Sequence, residues 1–268
     1  MTEFARTAAR EGDQDALSIT FIRTSCLLLQ YGGKTAITDP WFGRTMRGLP
    51  VFRQPGVPIE QLPRIDYVIA SHLHRDHFDR DAVARFGHPE LEIAGTIGTA
   101  RYCDGLALGS VHDMGPWDRH QLGPFSLCAT PALHTGPPPP EINFVIECGG
   151  LRVFFGGDAR WSDAYERIAE RFPSIDIAIL PIGGTLIFGH RTTMAPVDAT
   201  RACEVLRPRW AVPIHEGGEW LPVPPASFHP GRNRHFVREL ERSAVDCEPC
   251  VIAPGETVRF TPEGMRRI

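Results

Sequence analysis

Residues 71–77 read Ser-His-Leu-His-Arg-Asp-His, so four side chains able to bind a metal, His72, His74, Asp76 and His77, fall within six positions. Three imidazoles crowded together repel one another on protonation, and packing alone gives no reason to gather them. Imidazole and carboxylate are, however, the donors that zinc takes. Alternate residues His72, His74 and Asp76 project to one side of an extended turn, and His77 comes round from the next position to face the same space. That arrangement suits two adjacent metals rather than one. Three further candidates stand alone: His134 after an alternating stretch at 125–130, Asp158 after Gly156-Gly157, and His215 after the apolar run 210–214. Paired glycines permit a tight turn that presents the Asp158 carboxylate inward.

All of these residues follow segments that read as strands, which places the chemistry at the carboxyl edge of a sheet. The apolar run 65–70 predicts the buried strand before His72. The chain opens with strands at 17–21, 26–31 and 35–38, with Gly32-Gly33 as a hairpin turn, and this meander ends at Asp39. Helical spacing at 79–86 and 99–108 brackets a short strand at 91–94. Strands are predicted at 143–148, 151–155 and 175–182, helices at 161–172, 196–206 and 231–243, and a closing hairpin at 251–260. Strands with late-placed helices recur in both halves, so the expectation is an α/β protein of two face-to-face sheets with helices outside, as one domain over residues 1–268.

Between these elements, residues 43–63 carry four prolines, three glycines and three arginines without any period. A loop of this length reads as a lid or binding wall, with Trp41, Phe42, Met46 and Phe52 for apolar contact and Arg44, Arg47 and Arg53 to meet an anion. The four prolines 137–140 and the stretch 220–229 would complete the mouth.

Composition narrows the partners. With 268 residues, 42% of them hydrophobic, the chain can bury a sizeable core. A net charge of −4 with dispersed arginines gives no footprint for nucleic acid. No stretch approaches the roughly 20 apolar residues of a membrane span. The expectation is therefore a cytoplasmic protein with a small-molecule substrate and neither nucleic-acid nor membrane partners. Seven cysteines scattered through predicted strands and helices read as small core residues. The pair Cys247-Glu248-Pro249-Cys250 has the spacing of a metal or redox motif but no second pair beside it.

Taken together, His72 to His77 as H-x-H-x-D-H, followed in order by His134, Asp158 and His215, resemble the metallo-beta-lactamase superfamily over nearly the whole chain. The resemblance implies a four-layer alpha/beta-beta/alpha sandwich. It further implies one zinc on His72, His74 and His134, a second on Asp76, His77 and His215, Asp158 as the bridge, and Asp39 bracing the site from behind. Within the superfamily, Gly156-Gly157-Asp158, the stretch from Leu180 to Gly184, and the stretch from Thr193 to Ala199 resemble the group containing ascorbate-6-phosphate lactonase and N-acylphosphatidylethanolamine-hydrolysing phospholipase D. Several members of that group place a histidine where this chain has Thr193, with His190 three residues earlier. His229 resembles a histidine that follows the last metal ligand in relatives. Substrate-binding candidates are thus His190, Thr193, His229, Trp41 and Arg44.

The chemistry these expectations support is hydrolysis by a hydroxide shared between two zinc ions, formed near neutral pH because the metals lower the pKa of water to about 7. Asp76 would act catalytically by orienting that nucleophile or taking its proton. The expected substrate is a small, anionic ester, lactone or phosphodiester. All-nitrogen and oxygen donors also suit manganese or iron, so the alternative is a non-hydrolytic di-iron or manganese oxidoreductase on the same fold.

Overall fold

The computed structural model describes residues 15–46, 48–134, 141–217, 223 and 226–268. Arg47, the proline run 137–140, and residues 220–222 and 224–225 of the predicted wall 220–229 lie outside the described residues.

Two large sheets form the centre. In the first, Leu17–Arg23, Cys26–Tyr31 and Lys34–Thr38 make the antiparallel meander expected from the sequence. Tyr67–Ala70, Glu92–Thr96 and Ser110–Met114 then add in parallel on the side of Lys34–Thr38. The hairpin Thr257–Thr261 and Gly264–Arg267 extends the opposite side. In the second sheet, Arg119–Leu122, Phe125–Pro131, Ile142–Cys148 and Leu151–Phe155 run antiparallel. Ile177–Pro181, Trp210–Ile214 and Glu248–Pro249 continue it in parallel.

Side-chain alternation along each strand divides the core into layers. Ile19, Leu29, Ile69, Leu127, Phe144, Ile146, Val153, Ile179 and Val212 face one another between the sheets. Val145, Phe154, Ala178 and Leu180 point the other way, onto the helices Ala164–Arg171, Pro196–Leu206 and Asn233–Arg242. On the outer face of the first sheet, Leu28, Ile37, Val68 and Ile93 pack against Val83 of the helix Arg80–Phe86. The order is helix, sheet, sheet, helix, as the resemblance implied. Strands buried on both faces lack a polar alternation, which is why so many read as continuous apolar runs. Truncating Phe144, fully buried between the sheets, to alanine would cost about 3–5 kcal/mol.

Both sheets deliver their carboxyl ends to one edge, where backbone bonds stitch them together. Ile142 N–H donates to Ser71 O at 3.1 Å, and His215 N–H donates to Thr24 O at 2.9 Å. Ser25 Oγ donates to Gly157 O at 3.2 Å. Residues that leave strands at this edge, including Asp39, Ser71, Asp158 and His215, therefore converge.

Several elements differ from expectation. The helix predicted at 99–108 spans only Thr99–Tyr102, because Gly105 turns left-handed at φ 79° while Arg80 ties down the carbonyls of Tyr102 and Asp104. The closing hairpin lies later than 251–260, after a turn in which Ala253 N–H donates to the Glu256 carboxylate at 2.9 Å. Ser110–Met114 and Arg119–Leu122 were not expected as strands. Each is the outermost strand on its side of its sheet and carries polar residues. Trp41 is not part of a binding wall: it is fully buried, with the Arg23 guanidinium 3.7 Å above its ring and donating to its carbonyl at 3.0 Å. Among the described residues, no helix is long and apolar enough to cross a membrane.

Candidate metal centre

His72 Nε2 lies 3.0 Å from His74 Nδ1, which in turn lies 3.2 Å from His134 Nε2. Two nitrogens each about 2.0–2.1 Å from a tetrahedral zinc stand about 3.3 Å apart. These short contacts therefore have the edge length of a coordination polyhedron.

The outward nitrogens of the same rings fix the tautomers. Ser71 Oγ donates to Asp39 Oδ2 at 2.7 Å, so it must accept from His72 Nδ1–H at 3.0 Å. That leaves the Nε2 lone pair of His72 aimed inward. His134 Nδ1–H points at the Asp158 carbonyl at 3.1 Å, with Glu141 Oε2 3.3 Å away. Its Nε2 lone pair is likewise free for the centre. Second groups that orient ligating imidazoles in this way also raise their basicity.

Beside this triad sits a second group, Asp76, His77 and His215, whose donor atoms lie within 4.8 Å of one another. His77 Nδ1–H donates to Asp39 Oδ2 at 2.7 Å, while its buried Nε2 makes no hydrogen bond among the described residues. That Nε2 faces Asp76 Oδ2 at 3.9 Å and Asp158 Oδ2 at 4.0 Å. His215 Nε2 is 3.8 Å from Asp76 Oδ2 and 3.5 Å from Asp158 Oδ1, and its ring stacks on His77 with centroids 5.3 Å apart. The rings of His72 and His77, one from each group, are 4.2 Å apart, so the two groups adjoin.

Strand-end turns make this convergence possible, at some conformational cost. Asp39 and His215 adopt left-handed backbone with φ 36° and 51°, a strain typical of positions where side-chain aim matters more than local comfort. Gly157, at φ 51°, has no room for a side chain: a Cβ there would sit 2.4 Å from Glu141 Oε1 and 2.8 Å from Ser71 Oγ.

Burial holds the pKa values of His72 and His77 well below the ordinary imidazole value, and neighbouring imidazoles add to the effect. Burial also pushes Asp76 up to about 6 and lifts Asp39 and Glu141 well above the usual carboxylate range, with Asp158 adding to the rise at Glu141. Neutral imidazoles with inward lone pairs, beside carboxylates that burial penalises when ionised, suit a divalent cation that would compensate both. No thiol belongs to either group. The donor set fits zinc and other metals that accept nitrogen and oxygen.

The structure thus brings together every sequence-predicted ligand: His72, His74, Asp76, His77, His134, Asp158 and His215. Asp39 stands behind His77 as expected. Thr193 does not line a substrate space. It is fully buried, and its hydroxyl donates to Asp158 Oδ1, which orients that carboxylate. His190 is exposed on the two-residue strand His190–Arg191 and belongs to neither ligand group. His229 is buried, with Nδ1 3.1 Å from Thr185 Oγ1, and burial followed by the charge of His215 pushes its pKa down to about 4. Arg44 is exposed, whereas Arg53 is paired with Glu216 at 3.0 Å.

Glu141 was not foreseen. Its Oε1 accepts from Asp158 N–H at 2.6 Å and lies 3.7 Å from His72 Nδ1, so one carboxylate touches three parts of the site. The only sequence signal is a lone acid opening the apolar strand Ile142–Cys148.

Comparison with known proteins identifies the family. Residues 35–215 match the family described as the beta-lactamase superfamily domain. A metal-dependent hydrolase of Pelotomaculum thermopropionicum is 28% identical over 256 residues, covering 91% of this chain and all of that protein. One from Heliobacterium modesticaldum is 30% identical over 264 residues, covering 92% of this chain and 99% of the relative. Among solved structures, a metallo hydrolase from the hyperthermophilic archaeon Ignicoccus hospitalis superposes with a TM-score of 0.72 at 22% identity, covering 91% of this chain and 98% of its own.

Proposed function

The chain belongs to the beta-lactamase superfamily domain family, and from that premise we propose that this metal-dependent hydrolase uses two zinc ions to cleave a small, anionic ester, lactone or phosphodiester. The observation that carries the reading is the pair of adjoining donor groups, one of three imidazoles with polyhedral nitrogen spacing and one of Asp76, His77 and His215. In this reading Asp158, whose carboxylate lies within 4.0 Å of His77, His134 and His215, would be the ligand available to both groups.

When bound, the metal pair supplies a nucleophilic hydroxide at neutral pH and a Lewis acid for the scissile oxygen. The chain's own residues set the geometry. Asp39 and Ser71 hold His77 and His72 in single tautomers, and Thr193 and Glu141 fix the Asp158 carboxylate and its backbone. Asp76 orients the attacking water or takes its proton. Exposed Arg44 is the cation that meets the substrate's anionic group. The substrate is free in solution in the cytoplasm, with no nucleic-acid or membrane partner, a reading supported by the net charge of −4 and dispersed arginines. Residues 1–268 act as one catalytic domain.

The test is a panel of lactones, phosphodiesters, thioesters and amides in charged and neutral forms, assayed with zinc-loaded protein and with Arg44→Ala. The expected result is turnover of small anionic esters or lactones, with Arg44→Ala lowering kcat/KM for charged substrates much more than for neutral analogues. Faster turnover of long-chain lipids or nucleic acids would overturn the substrate class. An unchanged charged-to-neutral ratio would remove Arg44. Iron and manganese fit the same donors; oxygen consumption with a reduced iron-loaded protein, without hydrolysis, would replace the hydrolase with a di-iron oxidoreductase.

A further inference from the structure

At the sheet edge opposite the candidate centre, a second set of donors gathers. Glu92 opens the strand Glu92–Thr96 at its amino end, whereas the ligand cluster lies beyond the carboxyl ends of these parallel strands. Glu92 pairs with Ser110 and Ala94 with His112, so Glu92 and Ala94 share one face, as do Ser110 and His112. Ala94 belongs to the core between the sheets, which fixes that face as inward. His120 comes from the other sheet. It sits opposite Leu127, which also faces the inter-sheet core, and two positions before Leu122, another core residue.

Two imidazoles and a carboxylate therefore meet at the margin of an otherwise apolar layer. The rings of His112 and His120 lie 3.8 Å apart at 33°, and donor atoms of Glu92, His112 and His120 all fall within 4.8 Å of one another. His120 Nε2 is buried and makes no hydrogen bond among the described residues, while His112 Nε2 contacts Ser110 Oγ at 3.0 Å. A buried ring nitrogen left without a hydrogen bond is costly. Two imidazoles packed this closely cannot both carry a proton cheaply, and a cation between them and the carboxylate resolves both problems.

We propose that Glu92, His112 and His120 form a separate binding site for a divalent transition metal, with zinc as the reference ion. Two imidazoles and one carboxylate are a recurrent donor set for such ions and leave room for water as a further ligand. The site ties Ser110–Met114 of one sheet to Arg119–Leu122 of the other, across the turn in which Gly115 N–H donates to Asp118 Oδ2 at 2.8 Å. Its expected role is to clamp the two layers at their open margin, independent of hydrolysis.

Elemental analysis of zinc-loaded protein after gel filtration tests this. The unaltered chain should hold one more equivalent of zinc than the double variant His112→Ala/His120→Ala, with hydrolytic turnover the same in both, and Glu92→Gln should weaken retention of that equivalent. Equal zinc content in the folded double variant and the unaltered chain would overturn the site. If the double variant does not fold, anomalous diffraction from zinc-soaked crystals of the unaltered chain decides: a peak among Glu92, His112 and His120 is expected, and its absence ends the proposal whatever is found at the other metal groups.

Discussion

Asp39 Oδ2 accepts the Nδ1 proton of His77 across 2.7 Å, with both side chains fully buried. The same carboxylate accepts from Ser71 Oγ and from Ser71 N–H, each at 2.7 Å. One buried acid thus aims His77 directly and His72 through Ser71. Replacing Asp39 with Asn should keep the volume but lose the charge, lowering metal affinity about 10–100-fold. Chelator competition would measure this, and an affinity unchanged in a folded Asp39→Asn variant would contradict the bracing role.

Glu141 does for the other triad what Asp39 does for His77, through His134 at 3.3 Å and the Asp158 backbone at 2.6 Å. Glu141→Gln should therefore weaken metal held by His72, His74 and His134 about 10–100-fold, with less effect on the Asp76, His77 and His215 group. Stepwise zinc titration monitored by an indicator dye separates the two classes. Equal losses in both would assign Glu141 a merely structural part.

His229 should make the protein acid-sensitive. Burial and then the charge of His215 hold its pKa near 4, against about 6.5 when unfolded, while Asp158 pulls the other way and Arg232 adds to the lowering. Below pH 6.5 the unfolded chain takes up a proton that native His229 refuses, so this stability is present above 6.5 and lost as pH falls toward 4. The loss amounts to about 3 kcal/mol at most. Denaturant melts from pH 7 to 4 should show His229→Gln losing less stability than the unaltered chain. Parallel curves for the two proteins would contradict the depressed value.

The buried thiols should be inert. Burial pushes Cys26 and Cys148 up to about 12 and Cys103 and Cys250 up to about 11, and the thiolate is the reactive form. A disulfide-exchange reagent at pH 8 should react slowly with the six buried cysteines of the native protein and titrate all seven after denaturation. Cys247→Ser/Cys250→Ser should retain turnover and bound metal; loss of either in a folded variant would revive a metal or redox role for this pair.

Four of the candidate ligands were legible because they are local. They lie in six positions, whereas His134, Asp158 and His215 each follow a run that reads as a strand and were assigned to particular metals only through the resemblance. The layered fold was legible for the same reason, since strands buried on both faces leave unmistakable apolar runs. Glu141 was not, because its role depends on the approach of two sheets, sealed by Ile142 N–H to Ser71 O, that no single segment encodes. The polar edge strands carrying His112 and His120 resemble loops in sequence. Trp41 was misread because an aromatic beside a Pro- and Gly-rich stretch suggests a binding wall. The contrary clue was Arg23 in an apolar strand, which only makes sense if something buried, here the Trp41 ring, receives it.

The central claim is a two-metal hydrolytic centre, and the most direct measurement is zinc back-titration of chelated protein in the His112→Ala/His120→Ala background, so that the edge cluster takes up none of the added metal. Hydrolysis of the best substrate from the panel should be absent without metal and rise to a plateau at about two equivalents per chain. Full activity in the chelated protein, or a plateau at one equivalent with no gain from a second, would contradict the account.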